Sequence, residues 1–279
     1  MAVVLITGCS SGFGKLAALQ FARKGDHVFA SMRNTSKAGD LEQAKRAEKL
    51  QLDVVQLDVT DEQSVANAVR QVIDAAGRID VLVNNAGIGA HGPLEETDDA
   101  ELREVFDTNF FGAMNVIRHV APKMREQHSG TIVNVSSLAG RVPPPFSGTY
   151  SASKFALEAA SESLHFELHP FGIRVVLIEP GGFETSIEQN RRIARRFTEG
   201  SPYLELEARF TQSLQKLPAA EVRGDPQDVA EMIYNSVHDK TPKLRYLVGQ
   251  DAEMIGGLKK QLDDEQFEQA MRQALDFWD

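Results

Sequence analysis

The sequence is poor in cysteine and tryptophan, with one of each among 279 residues. The single cysteine, Cys9, cannot form an internal disulfide, so nothing indicates an oxidising compartment. No apolar run approaches the roughly 20 residues that span a bilayer. The first residues, MAVVLITG, also lack the basic n-region and cleavage site of a signal peptide. We therefore expect a soluble, cytoplasmic protein.

Basic residues are outnumbered by acidic ones. The chain has 30 Lys and Arg against 40 Asp and Glu, which gives a formal net charge of -10. This charge repels the phosphate backbone of nucleic acids and the anionic surface of membranes. Nucleic acid and membrane are therefore not expected partners.

The sequence also has no Pro-, Gly- or Ser-rich linker and no internal repeat, which favours a single domain over residues 1–279. Apolar runs alternate with segments of helical periodicity, the pattern of a parallel sheet covered on both faces. The runs are VVLIT, HVFASM, VVQLDV, IDVLVN, GTIVNVSS, IRVVLIEP and LRYLVG. The expected fold is a doubly wound (Rossmann) α/β fold with a seven-stranded parallel sheet and helices on both faces.

Helices are predicted between these runs, at about residues 15–24, 41–50, 62–76, 99–127, 150–169 and 228–239. Residues 186–223 break the alternation and are predicted to form a substrate-loop insertion. Residues 251–279 are predicted to form a helical tail, either packed on the domain or meeting a partner.

A glycine-rich stretch, LITGCSSGFG, follows the first apolar run and contains Gly8, Gly12 and Gly14. Free backbone N–H groups and the helix dipole attract phosphate at such a strand-to-helix turn, and residues without a Cβ let it approach. Glycine also serves such turns for conformational reasons alone. The stretch by itself leaves both interpretations open.

Tyr150 and Lys154 are four residues apart in YSASK, so they share one face of the predicted helix. A buried ammonium beside a phenol stabilises the phenolate, and we therefore expect the pKa of Tyr150 to fall. A lowered pKa would suit proton exchange with an alcohol or carbonyl. The pair alone is more typical of an ordinary helix with a surface Tyr and Lys.

Three motifs together resemble the classical short-chain dehydrogenase/reductase family: TGCSSGFG, NNAG at residues 84–87, and YSASK. The strings LITGCSSGFG, SMR and YSASKFALE look most like the branch with 17β-hydroxysteroid and retinol dehydrogenases. The resemblance implies an oxidoreductase that transfers a hydride between a nicotinamide and a carbonyl or secondary alcohol. It implies an apolar substrate, such as a steroid, retinoid or aromatic ketone, and a homodimer or homotetramer.

The resemblance assigns four catalytic roles. Tyr150 would donate the proton, and Lys154 would lower the pKa of that tyrosine. Ser137 would polarise the substrate oxygen, since it has the family's usual distance to the tyrosine and Ser136 does not. Asn109 in TNFFG would hold a water of the proton relay. Two alternatives are an epimerase or dehydratase of the extended branch and a non-catalytic NADP-binding sensor.

The resemblance also implies the binding residues. Those expected to contact the cofactor are Thr7, Gly8, Ser10, Ser11, Gly12, Phe13, Gly14, Asp58, Val59, Asn85, Ala86, Gly87, Tyr150, Lys154, Pro180, Gly181, Phe183 and Thr185. Phe183 replaces the family's valine and is expected to add bulk beside the nicotinamide. The expected substrate pocket comprises His91, Ser137, Val142, Pro143, Pro144, Phe146, Tyr150, Phe183 and the insertion.

The end of the second apolar run bears on the choice of cofactor. NAD-preferring relatives place a carboxylate there, where it bonds the ribose hydroxyls and repels a 2′-phosphate. This sequence has Met32 at that position and Arg33 next, whose guanidinium can grip a phosphate by two parallel hydrogen bonds. An arginine solvated at a strand end is the alternative interpretation. We predict NADP(H) as the cofactor, with NAD second.

Other features receive structural interpretations. His165 and His169 are four apart, but no third ligand is evident and no metal is expected. Cys9 is expected to be a packing residue. The basic run RRIARR at residues 191–196 is typical of a solvated helix face, with recruitment of an acidic substrate as the alternative.

Overall fold

The computed structural model describes residues 1–185, 187, 190–216 and 224–277. Its main sheet contains β1 (Val3–Ile6), β2 (His27–Met32), β3 (Leu52–Gln56), β4 (Val81–Asn84), β6 (Gly130–Val135), β7 (Ile173–Pro180) and β9 (Arg245–Val248). The strand order is β3-β2-β1-β4-β6-β7-β9, with every neighbouring pair parallel. Two short strands, β5 (Ala90–His91) and β8 (Arg192–Ile193), pair with each other outside this sheet. The predicted seven-stranded parallel sheet is confirmed.

The helices are α1 (Gly12–Arg23), α2 (Gly39–Glu48), α3 (Glu62–Ala76), α4 (Asp99–Phe106), α5 (Gly112–Gln127), α6 (Gly148–Leu168), α7 (Leu204–Gln215), α8 (Pro226–His238), α9 (Gln250–Gln261) and α10 (Asp264–Leu275). None of those in the described part of the chain is long and apolar enough to cross a membrane.

Strand β1 shows how the sheet acquires two hydrophobic faces. Successive side chains of a strand point to opposite faces. Val4 and Ile6 belong to a core cluster with α1 and α8, whereas Val3 and Leu5 belong to a second cluster with α3 and α5. Burying such side chains stabilises the fold by about 1.5–3 kcal/mol each. The near-continuous apolar runs of the sequence therefore reflect a sheet covered on both sides.

The predicted fourth helix, residues 99–127, is divided. A π-helical turn at Asp107–Phe111 separates α4 from α5 and is closed by the bond from the Gly112 N–H to the Asp107 carbonyl. The sequence pattern predicted one continuous helix and did not reveal the extra residue that this turn holds. At Gly112, a Cβ would lie 2.6 Å from Val59 Cγ2.

The insertion and the tail both contain helices. Helix α7 lies within the predicted insertion, and α9 and α10 confirm that the tail is helical. Parts of these predictions lie outside the described residues, namely positions 186, 188–189 and 217–223 of the insertion and 278–279 of the tail.

The strand order changes direction between β1 and β4, since β2 and β3 lie on one side and β6, β7 and β9 on the other. In doubly wound sheets, the crevice at the carboxyl ends of strands beside such a reversal is where ligands bind. The glycine-rich stretch follows β1 and the NNAG motif ends β4, so the topology brings both to this crevice.

Candidate active site

A cleft of about 620 Å³ opens at the carboxyl ends of β1, β2, β3 and β4. Its lining includes these predicted cofactor contacts: Gly8, Ser10, Ser11, Gly12, Phe13, Arg33, Asp58, Val59, Asn85, Ala86, Gly87 and Thr185. The sequence did not point to other residues that line it, among them Asn34, Lys37, Ile88, Thr108, Asn190 and Arg192. The remaining predicted contacts lie outside the lining: Thr7, Gly14, Tyr150, Lys154, Pro180, Gly181 and Phe183.

The three glycines of the first turn serve different purposes. Gly8 has φ +74°, and a Cβ there would lie 2.8 Å from the Ala86 Cα. Gly14 is buried, and a Cβ there would collide with the Gly8 carbonyl and the Asn85 amide. Gly12 has φ +56°, and among the described residues a Cβ there would contact Thr185, 3.9 Å away. Gly8 and Gly14 thus let two turns pack together, whereas Gly12 keeps the cleft open.

Thr7 and Asn85 connect the ends of β1 and β4. The buried Thr7 hydroxyl accepts hydrogen bonds from the backbone N–H groups of Asn85 and Ala86, each 3.0 Å long. The Asn85 side chain donates to the Thr7 carbonyl at 2.9 Å. The expectation that Thr7 contacts the cofactor directly is not supported, because its hydroxyl is committed to this junction.

Two basic side chains line the cleft just after β2. Arg33 follows β2, and the Asn34 side chain accepts a bond from the Ser36 N–H to start a short 3-10 turn that ends at Lys37. This turn brings Lys37 to the same wall as Arg33. Within the described part of the chain, neither cation has an ion-pair partner. Met32, which lines the cleft beside them, supplies no carboxylate.

Ser137, Tyr150 and Lys154 come together behind this cleft. Ser137 follows β6 and caps a 3-10 turn, Leu138–Gly140, by accepting a bond from the Ala139 N–H at 3.1 Å. Its Oγ lies 3.5 Å from the Pro180 carbonyl, and its hydroxyl is close enough to the Tyr150 phenol to lower the pKa of that phenol. Lys154 Nζ lies 5.7 Å from the centroid of the Tyr150 ring. The geometry therefore assembles the predicted catalytic set.

The protonation of this set differs from the expectation. Burial raises the pKa of Tyr150 to about 12, against the opposing effect of the Ser137 hydroxyl. Burial lowers the pKa of Lys154 to about 8, against the charge of Glu158. The prediction of a lowered tyrosine pKa is wrong for this structure, because desolvation dominates. Lys154 also donates its hydrogen bond to the Val135 carbonyl, at 2.8 Å.

Asn109 lies in the π-helical turn and is buried. Its Oδ1 accepts a bond from the Ile88 N–H at 2.8 Å, and its Nδ2 donates to the Ile88 carbonyl and to Ser153 Oγ, both at 3.0 Å. The side chain thus fastens the segment after β4 to α6. These bonds occupy the side-chain amide, and the expectation that Asn109 holds a water of the proton relay stays a prediction.

Phe183 differs from its predicted position. Its ring is buried in the core cluster that contains α1 and α8, and it packs edge-on against Phe13 with centroids 5.6 Å apart. Gly224 lies so close to this ring that a Cβ would not fit. Its assignment to the substrate pocket is therefore corrected: the ring supports the glycine-rich turn from below. The neighbouring turn is held by Asp251, which accepts a 2.7 Å bond from the Gly182 N–H.

The predicted substrate residues His91 and Phe146 belong to an aromatic wall. The His91 imidazole lies 3.1 Å from the Glu207 carboxylate of α7, and its ring neighbours Phe146 and Phe197. Burial lowers the pKa of His91, as does the charge of Arg191. The rings leave a cavity of only about 10 Å³.

Phe146 extends this wall toward the tail. It holds φ +63°, a backbone region unusual for a bulky residue. Its ring packs on Phe210 of α7, which in turn packs on Phe277 with centroids 4.9 Å apart. The other predicted pocket residues differ in exposure: Val142 and Pro144 are half-buried and Pro143 is exposed.

Comparisons with known proteins agree with this geometry. A family model described as short chain dehydrogenase matches residues 2–196. A 3-ketodihydrosphingosine reductase of Bacteroides thetaiotaomicron is 38% identical over 272 residues, covering 97% of this chain and 96% of the relative. Retinol dehydrogenase 8 of Bos taurus is 40% identical over 251 residues, covering 87% of this chain and 80% of the relative.

A solved short-chain dehydrogenase from Streptomyces avermitilis has the same fold. It is 35% identical with a TM-score of 0.81, and the match covers 98% of this chain and 96% of that one. Other solved structures of similar fold contain NADP or NAD. The family match over most of the chain, on a fold that assembles Ser137, Tyr150 and Lys154, shows that the protein belongs to the short-chain dehydrogenase/reductase family of oxidoreductases.

Proposed function

We propose that this protein is an NADP-dependent dehydrogenase/reductase for the carbonyl or secondary alcohol of an apolar small molecule. The observation that carries the proposal is that the Ser137 hydroxyl and the Lys154 ammonium both lie beside the buried Tyr150 phenol. Two hydroxyl groups that lie side by side can both reach one substrate oxygen. Such an arrangement suits proton transfer to a carbonyl that is being reduced.

The cleft fits a dinucleotide. Gly12 leaves space at the start of α1, where Ser11 makes no side-chain cap and the first N–H groups of the helix are available to a phosphate. Ala86 and Gly87 line the other end. When bound, the nicotinamide supplies or accepts the hydride.

The chain's own residues provide the proton chemistry. A pKa of about 12 keeps the Tyr150 phenol protonated at neutral pH, which is the form that donates to a carbonyl oxygen. Ser137 donates a hydrogen bond to the same oxygen and so stabilises the charge that develops there. The Lys154 ammonium stabilises the phenolate left behind, and its lowered pKa lets it exchange a proton near neutral pH.

The preference for NADP over NAD rests on Arg33 and Lys37. Both lie on the cleft wall where a carboxylate would repel a 2′-phosphate, and neither is paired within the described residues. Unpaired cations in a chain of net charge -10 are well placed to bind a phosphate group.

The aromatic wall of Phe146, Phe197 and Phe210 is apolar, as a substrate of this class requires, and its cavity of about 10 Å³ must widen to admit one. One relative is named a retinol dehydrogenase and another a 3-ketodihydrosphingosine reductase. Retinoids and long-chain ketones therefore join steroids and aromatic ketones in the first test.

The test measures oxidation of NADPH and of NADH, in parallel, against a panel of these carbonyl compounds. We expect turnover of at least one apolar ketone or aldehyde, faster with NADPH, and no turnover of small charged keto acids. Reduction of charged acids alone would refute the substrate class. An absence of turnover with every carbonyl, while NADPH still binds, would favour a sensor.

We also propose a homodimer or homotetramer built on the outer faces of the π-helical turn and α6. Phe111, Phe155 and Phe166 are exposed there. Large exposed apolar side chains that cluster on one face are typical of an interface between subunits. Light scattering should give a dimer or tetramer for the wild type and a smaller species for Phe166→Asp; a monomeric wild type would contradict this.

A further inference from the structure

A cluster of buried charges lies one helical turn beyond Lys154. Glu158 of α6 is 5% exposed and Glu179 of β7 is 0% exposed. The Nε of Arg245, on β9, lies 3.0 Å from Glu158 Oε2 and 2.9 Å from Glu179 Oε1. One guanidinium thus stands between two buried carboxyl groups, which we name the carboxyl pair.

Arg245 cannot neutralise both members of the pair. It also bonds Glu162, an exposed residue of α6, and the second arginine beside the pair, Arg141, lies 3.9 Å from Glu179 Oε2. Within the described residues, Glu158 Oε1 and Glu179 Oε2 are buried and receive no hydrogen bond. Two buried carboxylates that share one arginine repel each other, and a proton between them would supply the missing donor.

The protonation energetics agree with this geometry. Burial raises the pKa of Glu158, and burial together with the charge of Glu158 raises the pKa of Glu179 well above the usual glutamate range. The pair therefore titrates as a unit rather than as two independent groups.

The pair is also close to the catalytic lysine. At Gly140, in the turn that Ser137 caps, a Cβ would lie 3.2 Å from both Glu158 Cγ and Lys154 Cβ. Because Gly140 has no side chain, this turn packs directly against the face of α6 that carries Lys154 and Glu158. The negative charge of Glu158 raises the pKa of Lys154 and so opposes the effect of burial.

We propose that Glu158 and Glu179 hold one shared proton beneath Arg245, and that this pair sets the charge of Lys154. The inference deepens the proposed function and rests on it where turnover is concerned. The two glutamates act through Lys154 and are positioning residues; no bond to substrate is formed. Tyr150 and Glu158, on the same helix, are the ionisable groups next to Lys154. One contact further away are Glu179 from β7, Arg245 from β9 and Arg141, which follows the 3-10 turn.

The direction of the effect follows from charge. As pH rises, loss of the shared proton takes the pair from one negative charge to two, which holds the proton on the Lys154 ammonium more tightly. Glu158→Gln removes the nearer carboxylate, so Lys154 should lose its proton at lower pH. Glu179→Gln should act in the same direction but less, because Glu179 is farther along the chain of contacts.

The first experiment uses NMR titration of protein labelled with [5-13C]glutamate and [6-13C]lysine, which needs no turnover. In the wild type, we expect a glutamate carboxyl that titrates well above the others, and a Lys154 signal, assigned through Lys154→Met, that titrates below the other lysines. The unusual glutamate titration should vanish in Glu158→Gln and in Glu179→Gln. Glu162→Gln, which removes an exposed partner of the same arginine, is the matched control and should keep it.

The second measurement is the Lys154 titration in each variant. We expect it to fall by about one pH unit in Glu158→Gln, by less in Glu179→Gln and by little in Glu162→Gln. Wild-type glutamates that all titrate in the ordinary range, or a Lys154 titration that is the same in all variants, would overturn the inference. The glutamate titration of the wild type alone decides whether the shared proton exists. A variant that fails to fold therefore does not leave that question open.

Turnover provides the link to the proposed function. The alkaline limb of kcat should move to lower pH in the order Glu158→Gln, Glu179→Gln, Glu162→Gln, while the KM for NADPH stays within about twofold. If the alkaline limb of kcat stays at the same pH although the Lys154 titration shifts, the catalytic part of the inference is overturned. If the wild type turns over no carbonyl, the proposed function is refuted. The NMR titrations still test the shared proton, because they do not depend on turnover.

Discussion

The two ends of the proposed active site are built differently. The proposed dinucleotide end consists of short backbone turns at the ends of β1 and β4, held together by Thr7 and Asn85. The proposed substrate end consists of side chains that meet from distant parts of the chain, from His91 to Phe277. A backbone turn is sensitive to changes of main-chain conformation but accepts many different side chains. The shape of the aromatic wall, in contrast, depends on each of its rings. We expect the first end to respond to substitution in stability and cofactor binding, and the second in substrate binding.

The largest effect should come from the chemistry that joins the two ends. Tyr150→Phe removes the proton donor and should lower kcat by about 10²- to 10⁴-fold. The Kd of NADPH should remain nearly unchanged, because Tyr150 does not line the cleft. Tyr234→Phe, at a tyrosine of α8 that stacks on His238, is the matched control and should keep activity. Near-normal turnover by Tyr150→Phe would remove the residue from the proposed mechanism.

A pair of glycine variants tests the dinucleotide end. Gly8→Ala meets both a positive φ and the Ala86 backbone, and should lower the free energy of unfolding by about 3 kcal/mol. Gly12→Ala has room around it and should cost only about 1 kcal/mol. Its methyl group stands in the cleft, however, so it should weaken NADPH binding. Denaturant titration and fluorescence binding measure the two quantities; equal losses of stability would contradict the division of roles.

The cleft wall that carries Arg33 and Lys37 should distinguish NADPH from NADH by charge. Hydrogen bonds to charged groups contribute about 1.5–3 kcal/mol, so Arg33→Ala should lower the preference for NADPH over NADH by about tenfold or more. Lys37→Ala should lower it less, since an ammonium lacks the two-pronged geometry. Met32→Asp combined with Arg33→Ala should reverse the preference. The measurement is the ratio of kcat/KM values for the two cofactors, and a wild type that favours NADH would refute the assignment.

The smallest effect should appear at the substrate end. Phe277→Ala removes the ring that covers Phe210 and should raise the KM of an apolar substrate by about threefold to tenfold, with NADPH binding unchanged. The exposed Met254 of α9 offers a control, since Met254→Ala should alter neither quantity. A Phe277→Ala variant with altered cofactor affinity and normal substrate KM would show that the two ends are not independent.

Part of this arrangement could be predicted from consecutive residues. The turn with Gly12, the serine after β6 and the Tyr150/Lys154 spacing are each local patterns, and the structure brings the last two together. The sequence did not indicate contacts between remote segments, such as those of Lys37, Phe210 and Phe277. No local pattern specifies which loop faces which ring.

Burial explains the remaining differences. Thr7 and Phe183 belong to motifs, but a motif does not say whether a side chain faces the ligand or the core. The pKa of Tyr150 was predicted from its charged neighbour alone, whereas desolvation is the larger influence in the folded protein. The burial of a side chain depends on the packing of the whole fold, and a local sequence motif does not specify it.

The π-helical turn makes chain length itself a determinant of this enzyme. A turn closed over five residues holds one residue more than an α-helical turn, so deleting any residue of Asp107–Phe111 would permit an unbroken α-helix. The deletion would rotate α4 by about 100° relative to α5. The Glu101 carboxylate would lose the 2.9 Å hydrogen bond that it accepts from the Arg195 N–H, and Asn109 would lose its hydrogen bond with Ile88. A loss of one codon here would thus be more harmful than most substitutions at the same positions, although it need not remove any residue that touches a ligand.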